Sequence, residues 1–385
     1  MADVVGGKKL NEIKSIDLFI TEECNMNCSY CFHPKTHNSL TFEQGSAILD
    51  RLHEISPDRM SIMFFGGEPL LYPEVMFKLC DYAIGLWSRE KVEFNISTNG
   101  SIFTEEIAQK MREFRFSLQI SCDGDEETTK ECRGGDWEKV ITNIVNYLQY
   151  FPFLGIRMTY TPKTVGRLMK NVEFLHKLGV KRIMHHATME DDWTEEAVEQ
   201  YRYQLTQLYN YRRYCLKNDI QIEIAFIDKP LKILNGDQAP EKNFCEAGKS
   251  YMAVLPNGDI YPCHRAASSR IFKLGNIFNV KLPFIRGVFA SIDKQSTGCW
   301  KNCKAATTCH SCVITHYKVN GELDKRLDKY CQLCQVENQT AFQYIPTEIS
   351  DRRDKKVDKL SQVVADLAEQ NEELLAILRT INVAK

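Results

Sequence analysis

From residue 15 to about 216, short apolar runs alternate with longer stretches whose apolar positions recur every three or four residues. Ser15–Ile20, Arg59–Phe65, Val92–Ser97, Phe116–Ser121, Gly155–Thr159 and Lys181–His186 read as strands, whereas Glu74–Trp87, Glu105–Phe114, Trp137–Gln149 and Leu168–Leu178 carry helical periodicity. Six strands alternating with helices predict an α/β protein with a parallel sheet and helical crossovers. A doubly wound sheet is one solution. The placement of the unusual residues favours the other, a partial (β/α)6 barrel of the TIM type, because nearly all of them fall just after strand ends. Cys24–Cys31 follow the first strand and Gly66-Gly67-Glu68-Pro69 the second. Ser97-Thr98-Asn99-Gly100 closes the third, Ser121-Cys122-Asp123-Gly124 the fourth, and Met184-His185-His186 the sixth, with Arg157 inside the fifth. Loops at that C-terminal face build the active sites of β/α barrels.

Glu195–Leu216 predicts a long sixth helix, and Ile220–Phe226 a further strand leading out of the barrel. The stretch from about 240 to 345 has few helical signals and holds eight of the fifteen cysteines, and a charged run, Ser350–Lys356, then opens a C-terminal helix. The expected division is an N-terminal extension over 1–14, a barrel over 15–225, a small cysteine-rich domain over 226–345, and a charged linker with a helix over 346–385.

Composition narrows the function classes. Lys and Arg number 49 against 51 Asp and Glu in 385 residues, a formal charge of −2. No basic stripe argues for a nucleic-acid partner, and no uninterrupted apolar run is long enough for a membrane span. The first residues lack an apolar core of signal-peptide length. Fifteen cysteines in such a chain point to the reducing cytoplasm, where clustered thiols read as metal ligands.

The first such group is Cys24-x3-Cys28-x2-Cys31, with Tyr30 before the third thiol. Its spacing alone fits a zinc knuckle or reduced structural cysteines as well as an iron–sulfur loop. Four thiolates normally hold a four-iron cluster, so three on one loop leave one iron without a protein ligand. The loop, followed by Gly66-Gly67-Glu68-Pro69 and by Ser121-Cys122-Asp123-Gly124, resembles the signature of the radical S-adenosylmethionine (SAM) superfamily. That resemblance implies a cluster whose open iron chelates SAM, a 5′-deoxyadenosyl radical formed by its cleavage, and hydrogen abstraction from a substrate. It assigns Glu68 to the SAM amino group, Ser97 and Asn99 to the ribose, and Ser121 and Asp123 to the family's Ser-x-Asp-Gly element. Arg133 or Arg157 goes to the SAM carboxylate, and Tyr30 packs near the adenine. Each residue also has a plainer reading: Glu68 as a turn-exposed first-turn acid, Asn99 and Asp123 as caps or turn residues, the arginines as surface ion-pair partners, Tyr30 as a core aromatic. Cys80, Cys122, Cys132 and Cys215 read as small buried hydrophobes.

The eight later cysteines run Cys245-x17-Cys263, Cys299-x3-Cys303-x5-Cys309-x2-Cys312 and Cys331-x2-Cys334. Cys309, Cys312, Cys331 and Cys334 fit a zinc ribbon by spacing. The segment Cys245-x12-Gly258-x4-Cys263 resembles the opening of the SPASM (twitch-type) domain, which binds two auxiliary clusters in many peptide-modifying radical SAM enzymes. The spacing three–five–two departs from the two–five–three usual there. By that analogy Cys299, Cys303, Cys309 and Cys331 group on an outer cluster, and Cys245, Cys263, Cys312 and Cys334 on an inner one. If Cys334 is not a ligand, the inner cluster has an open position. His264 takes the place where sulfatase-maturating relatives carry a catalytic aspartate; it reads either as a base or as a donor to a cluster sulfide. His185 and His186 are rim residues, and His310 and His316 structural.

The resulting expectation is a radical SAM enzyme with three four-iron clusters that acts on a ribosomally made peptide and installs a crosslink or an oxidation. A small-molecule radical SAM dehydrogenase and a non-catalytic iron–sulfur or zinc sensor are the alternatives. The partners expected are a peptide substrate and a flavodoxin- or ferredoxin-type electron donor. With residue 15 already opening the first strand, no leader-recognition domain is expected before it, so that role falls to the barrel mouth, the C-terminal helix or a separate protein. In the C-terminal helix, Val357, Leu360, Val364, Leu367, Asn371, Leu374, Leu378 and Ile381 alternate steps of three and four. That is the a/d repeat of a coiled coil, with Asn371 at an a position, and it predicts a homodimer. Val363, Leu375 and Ile377 widen the apolar face, which also suits packing against the chain's own barrel.

Overall fold

In the computed structural model, which describes residues 4–5, 8–9, 13–240, 245–267, 269–279, 294–295 and 297–383, the sheet is built in chain order. Its strands are β1 (Ser15–Thr21), β2 (Met60–Gly66), β3 (Val92–Thr98), β4 (Ser117–Ser121), β5 (Gly155–Tyr160), β6 (Arg182–Ala187) and the two-residue β7 (Glu223–Ile224). Each pairs in parallel with the one before it. A doubly wound sheet reverses its order at a switch point; β1 to β7 follow one another without reversal, as in a partial barrel. Side-chain caps start most of the crossover helices. Thr41 and Gln44 form a reciprocal capping box, and Thr104, Asp125, Asp136 and Thr194 each accept a backbone N–H of the following helix.

Residues opposite one another in register share a face, and alternate residues change face. One face carries Ile62, Phe64, Phe94, Ile96, Leu118, Ile120, Ile156 and Ile183, all buried under the helices. The other carries Asp17, Phe65, Ser97, Ser121, Arg157 and His186, and forms the barrel interior. This alternation separates the two histidines at the end of β6. His185 lies on the helix side, stacked on Tyr160 at 4.7 Å with Nε2 3.3 Å from the Tyr201 hydroxyl, whereas His186 faces the interior.

Three expectations are corrected. Only Glu223–Ile224 of the expected strand 220–226 is extended; helix Ala225–Leu234 begins at once. Its start is clamped by the buried Asp228, which accepts from Ile224 N at 2.7 Å and from Arg212 Nε at 2.6 Å. The cysteine-rich region shares the barrel's sheet: β8 (Tyr251–Val254) pairs in parallel with the free side of β1, and β9 (Asp259–Tyr261) and β10 (Gly275–Asn276) continue it antiparallel. Last, the final helix starts not near 357 but at Asp328 and runs 56 residues to Val383. It carries Cys331 and Cys334 and absorbs the run expected as a linker. Asp351 pairs with Arg213 and Lys217, Lys355 with Asp219, and Tyr344 stacks on Tyr209 at 4.6 Å. Those partners lie in or just after helix Glu195–Lys217, which holds the charged run against the barrel. Beyond it Leu360, Val363 and Val364 are exposed. The side chains of Val357, Leu367, Asn371, Leu374, Leu375, Ile377, Leu378 and Ile381 lie outside those described.

Burial decides which ion pairs matter. Asp228→Ala removes an ion-pair partner of the buried Arg212 and leaves the Ile224 N–H without its acceptor, and is expected to lower stability by roughly 1–3 kcal/mol. Asp351→Ala, on the surface, should cost about 1 kcal/mol or less. Anaerobic urea denaturation of both variants checks the contrast.

Candidate active site

The end of β2 is zipped to the exit of β1. Gly67 N donates to Thr21 O and Glu68 N to Glu23 O, both at 2.8 Å. A Cβ on Gly67 would lie 1.9 Å from Glu23 O, and one on Gly66, whose φ is +130°, would lie 2.0 Å from Thr21 O. Only glycine permits this approach. It delivers Glu68 beneath the cysteine loop, fully buried, which corrects the turn-exposed reading. Its Oε1 accepts from Leu70 N at 3.0 Å and Thr98 Oγ1 at 2.8 Å, and its Oε2 from Asn99 N at 2.6 Å. A carboxylate has about four acceptor positions, so one is left for a cation. Burial pushes the Glu68 pKa up to about 7 against these three donors. Pro69 opens the short 3-10 turn that Glu68 caps.

Asn99 is turned toward the cysteine loop. Its Nδ2 lies 2.8 Å from Asn25 Oδ1 and 3.7 Å from Cys24 Sγ, while its Oδ1 accepts from Ser101 N. Met26 N also donates to Cys24 Sγ, and the other side of the loop is tied down by Ser29 N donating to Cys132 O at 2.8 Å. Cys28 lies within electrostatic reach of both Cys24 and Cys31. Burial raises the pKa of Cys24 and Cys28, so the convergent thiols favour a cation that keeps them deprotonated. N–H donors aimed at sulfur are features of iron–sulfur sites. The residues fit such a group.

Asp123 is fully buried and fully used. It accepts from Tyr30 Oη at 2.5 Å, Thr159 N at 2.8 Å and Arg133 Nη2 at 3.0 Å, with Arg133 Nε also 3.0 Å away. The Arg133 guanidinium lies 5.6 Å from the Tyr30 ring. This knot ties the cysteine loop to β4 and β5 and leaves Arg133 committed to Asp123 rather than offered to a ligand. The Arg157 side chain, in the interior, makes no hydrogen bond or ion pair among the described residues. Burial lowers its pKa, and the charge of Asp17 works against that fall. The four cysteines read as buried hydrophobes are indeed buried, Cys122 with its pKa pushed up to about 11.

Two interior residues escaped the sequence reading. Asp17 Oδ2 lies 2.7 Å from His264 Nδ1 and also accepts from Tyr251 Oη, itself 2.7 Å from the same nitrogen. Asp17 is the lone charge within Ile16–Ile20, and that interruption was the available signal. The Phe65 ring, 4.7 Å from His264, and Phe32 wall the group. His186 lies in the same interior near Arg157 and His310, its pKa held well below the usual range by burial first and then by those neighbours. His316 is structural, bonded to Ser311 Oγ and Leu323 O.

The eight later thiols separate into two sets. Cys245, Cys263 and Cys312 lie within electrostatic reach of one another. Cys331 lies among Cys299, Cys303 and Cys309. Cys334, expected with the inner set, is hydrogen-bonded to Cys309 instead, which holds the Cys309 pKa down to about 6. Since Cys312 sits with Cys245 and Cys263, the zinc-ribbon grouping of Cys309, Cys312, Cys331 and Cys334 is not formed.

Residues 18–175 match the family described as the radical SAM superfamily, and 245–313 match the SPASM iron–sulfur cluster-binding domain. The chain thus carries a radical SAM domain followed by a SPASM domain. An uncharacterised protein of Methanocaldococcus jannaschii is 26% identical over 293 residues, 71% of this chain and 93% of its own. The Fe-coproporphyrin III synthase of Methanosarcina barkeri is 29% identical over 172 residues, 43% of this chain and 41% of its own. The radical SAM cyclopropyl synthase TigE of Paramaledivibacter caminithermalis is 26% identical over 130 residues, 29% of this chain and 27% of its own. The chain thus spans less than half of the latter two. Among solved structures, anSMEcpe with bound AdoMet superposes with a TM-score of 0.73 at 20% identity, over 87% of this chain and 98% of that one. SuiB of Streptococcus suis bound to S-adenosylmethionine gives 0.60 at 17%, over 84% and 78%. At these identities the likeness shows the fold. The radical SAM and SPASM domain matches support binding of SAM and of four-iron clusters.

Glu68 makes the site pH-sensitive. Its folded pKa of about 7 lies above the value of 4.5 for the free side chain, so the native state holds a proton that the unfolded state has lost between those pH values. The contribution of Glu68 to the stability of cluster-free, thiol-reduced protein is then fullest below pH 4.5 and is lost as pH rises to about 7. Glu68→Gln, which cannot ionise, is expected to flatten that slope in anaerobic thermal melts taken across the range.

Proposed function

We propose that this radical SAM enzyme modifies a ribosomally made peptide, installing a crosslink or an oxidation. The observation that carries the reading is the continuous sheet from β8 to β1, which sets Cys263 and His264 of the second cysteine region against Asp17 inside the barrel. Support comes also from neighbours whose structures hold peptides: anSMEcpe with the Cp18Cys peptide, TM-score 0.72, and SuiB with its precursor peptide SuiA, TM-score 0.59.

Cys24, Cys28 and Cys31 would hold the SAM-binding cluster, and the two later sets the auxiliary clusters, three in all. With the first cluster and SAM in place, that site would supply hydrogen-atom abstraction chemistry toward the substrate. The chain does the rest. The remaining acceptor position of Glu68 takes the SAM ammonium and Arg157 its carboxylate, a charge-assisted contact. Ser97, Ser121 and Asn99 line the ribose side, and Tyr30, held by Asp123, borders the adenine. Phe65 and Phe32 keep water from the reacting centre. An oxidation also releases a proton, and His264, oriented through Nδ1 by Asp17, has Nε2 to receive it. Electrons come from a flavodoxin- or ferredoxin-type donor. No helix among the described residues is long and apolar enough to cross a membrane, in keeping with a cytoplasmic site of action.

Anaerobically reconstituted protein is expected to carry about twelve irons, and Cys24/Cys28/Cys31→Ala about eight, at four per cluster. With SAM and reductant the wild type should yield 5′-deoxyadenosine and shift the mass of a peptide encoded beside it. One zinc with four irons, or no deoxyadenosine, would overturn the reading.

The far end of the long helix we assign to a second copy of this chain. Leu360 and Val364 stand exposed at a and d steps of the repeat, and an Asn at an a position is a device for fixing register in a two-stranded coil. Full-length protein should sediment as a dimer, and a chain ending at Lys356, which keeps the docked Asp351 and Lys355, as a folded monomer. A full-length monomer rules the pairing out.

A further inference from the structure

The two later thiol sets are unequal. All fifteen cysteines of the chain lie among the described residues, so the count by position is complete. Around Cys331 gather Cys299, Cys303 and Cys309, and Cys334 makes a fifth. It sits one turn along the same helix from Cys331 and is hydrogen-bonded to Cys309. Its sulfur is also within 4.8 Å of ligand atoms of His310 and Glu337. Glu337 is in turn held by the Tyr201 hydroxyl at 2.6 Å, which anchors this corner to the barrel's outer helix. Packing sets Cys334 apart from the inner thiols: it is buried in the main core beside Tyr330 and Leu333, whereas Cys263 and Cys312, together with Cys299 of the outer set, pack in a small apolar cluster with Ala253, Leu255 and Val313.

Cys245, Cys263 and Cys312 therefore have no fourth cysteine. A four-iron cluster needs a ligand on each iron, and the soft iron sites take thiolate by preference. The surroundings favour an anion there. Lys318 lies within electrostatic reach of Cys312 and Cys263, donates to Arg265 O at 3.1 Å, and shares the Phe32 face with the Arg265 guanidinium. Arg265 is already paired with Glu190, and Lys318 beside a metal centre is the cation that stabilises an incoming thiolate.

We propose that the inner auxiliary cluster is held by only three cysteines of this chain, Cys245, Cys263 and Cys312, and that its fourth iron takes a thiolate from another molecule. Cys334 is a neighbour of the outer cluster, not the missing ligand. This rests on the reading that the later cysteines hold two clusters.

The test isolates the auxiliary clusters in full-length Cys24/Cys28/Cys31→Ala protein, reconstituted and freed of thiols, then reduced with dithionite. Iron is counted, and electron paramagnetic resonance spectra are taken before and after addition of 2-mercaptoethanol. About eight irons, with one of the two signals shifting on thiol addition, is the expected result at four irons per cluster. Cys334→Ser in that background should keep the irons and the shift. Eight irons with no shift, or a shift that appears only after Cys334→Ser, overturns the proposal. Absence of iron overturns instead the reading on which it rests. The same titration of wild-type protein saturated with SAM, which fills the open iron of the first cluster, gives an independent answer if the triple variant fails to fold.

Discussion

A single buried carboxylate carries the architecture of the site. Glu68 is reached only because two glycines let the end of β2 run within hydrogen-bonding distance of the chain leaving β1. Once there, it collects N–H groups from its own turn and from the end of β3, and a hydroxyl from Thr98. Three consecutive strand ends thus meet at one residue, β1 through its backbone N–H and β3 through its side chain. Asn99, whose amide N–H is spent on Glu68, has its side chain free to brace Asn25 and Cys24. The geometry of the cysteine loop follows from a hydrogen-bond network that begins below it. Such a network is costly to interrupt, since each stranded buried donor forfeits its solvation.

The second constraint is the sheet itself. A partial barrel has free edges, and exposed edges invite pairing. On the β1 side this one is covered by β8 of the cysteine-rich region, which extends the parallel order and then folds back as a hairpin. Covering the edge has a chemical consequence. The chain leaving β9 reaches Cys263 and His264 just where Asp17 faces the interior, so a residue of the second region joins a residue of the first strand in one hydrogen-bonded group with Tyr251.

Local signals carried the barrel: each of the six expected strands is present to within about two residues, because apolar runs bounded by glycine, asparagine and aspartate say where a strand ends. What the sequence could not show was exposure and pairing. Glu68 follows two glycines and looks like a turn residue; nothing local reveals that Thr98 and Asn99 will close over it. Arg133 and Arg157 are equivalent as letters, and only the fold gives Asp123 to one of them. Cys334 follows Cys331 by three residues, which invites grouping by spacing, yet the helix that carries both begins at Asp328 and turns Cys334 toward the core. The charged run at 350–356 read as solvated because its partners, Arg213, Lys217 and Asp219, lie well over a hundred residues earlier in the chain.

The two arginines show how the fold divides structure from function. A guanidinium desolvated without a partner is expensive, so a stable core pairs it. Arg133 obeys that rule: Asp123 takes it on both oxygens, and the pair stiffens the connection between the cysteine loop and the middle of the sheet. Arg157 does not. It stands on the interior face opposite Ser121 in register, near His186, Arg133 and Arg265, with burial pressing its charge and Asp17 as its main relief. Natural cores depart from full pairing where a site needs the unpaired group. An anionic group entering the interior would restore at Arg157 the pairing that Arg133 already has, and that gain in free energy is a source of binding that a self-satisfied residue could not supply.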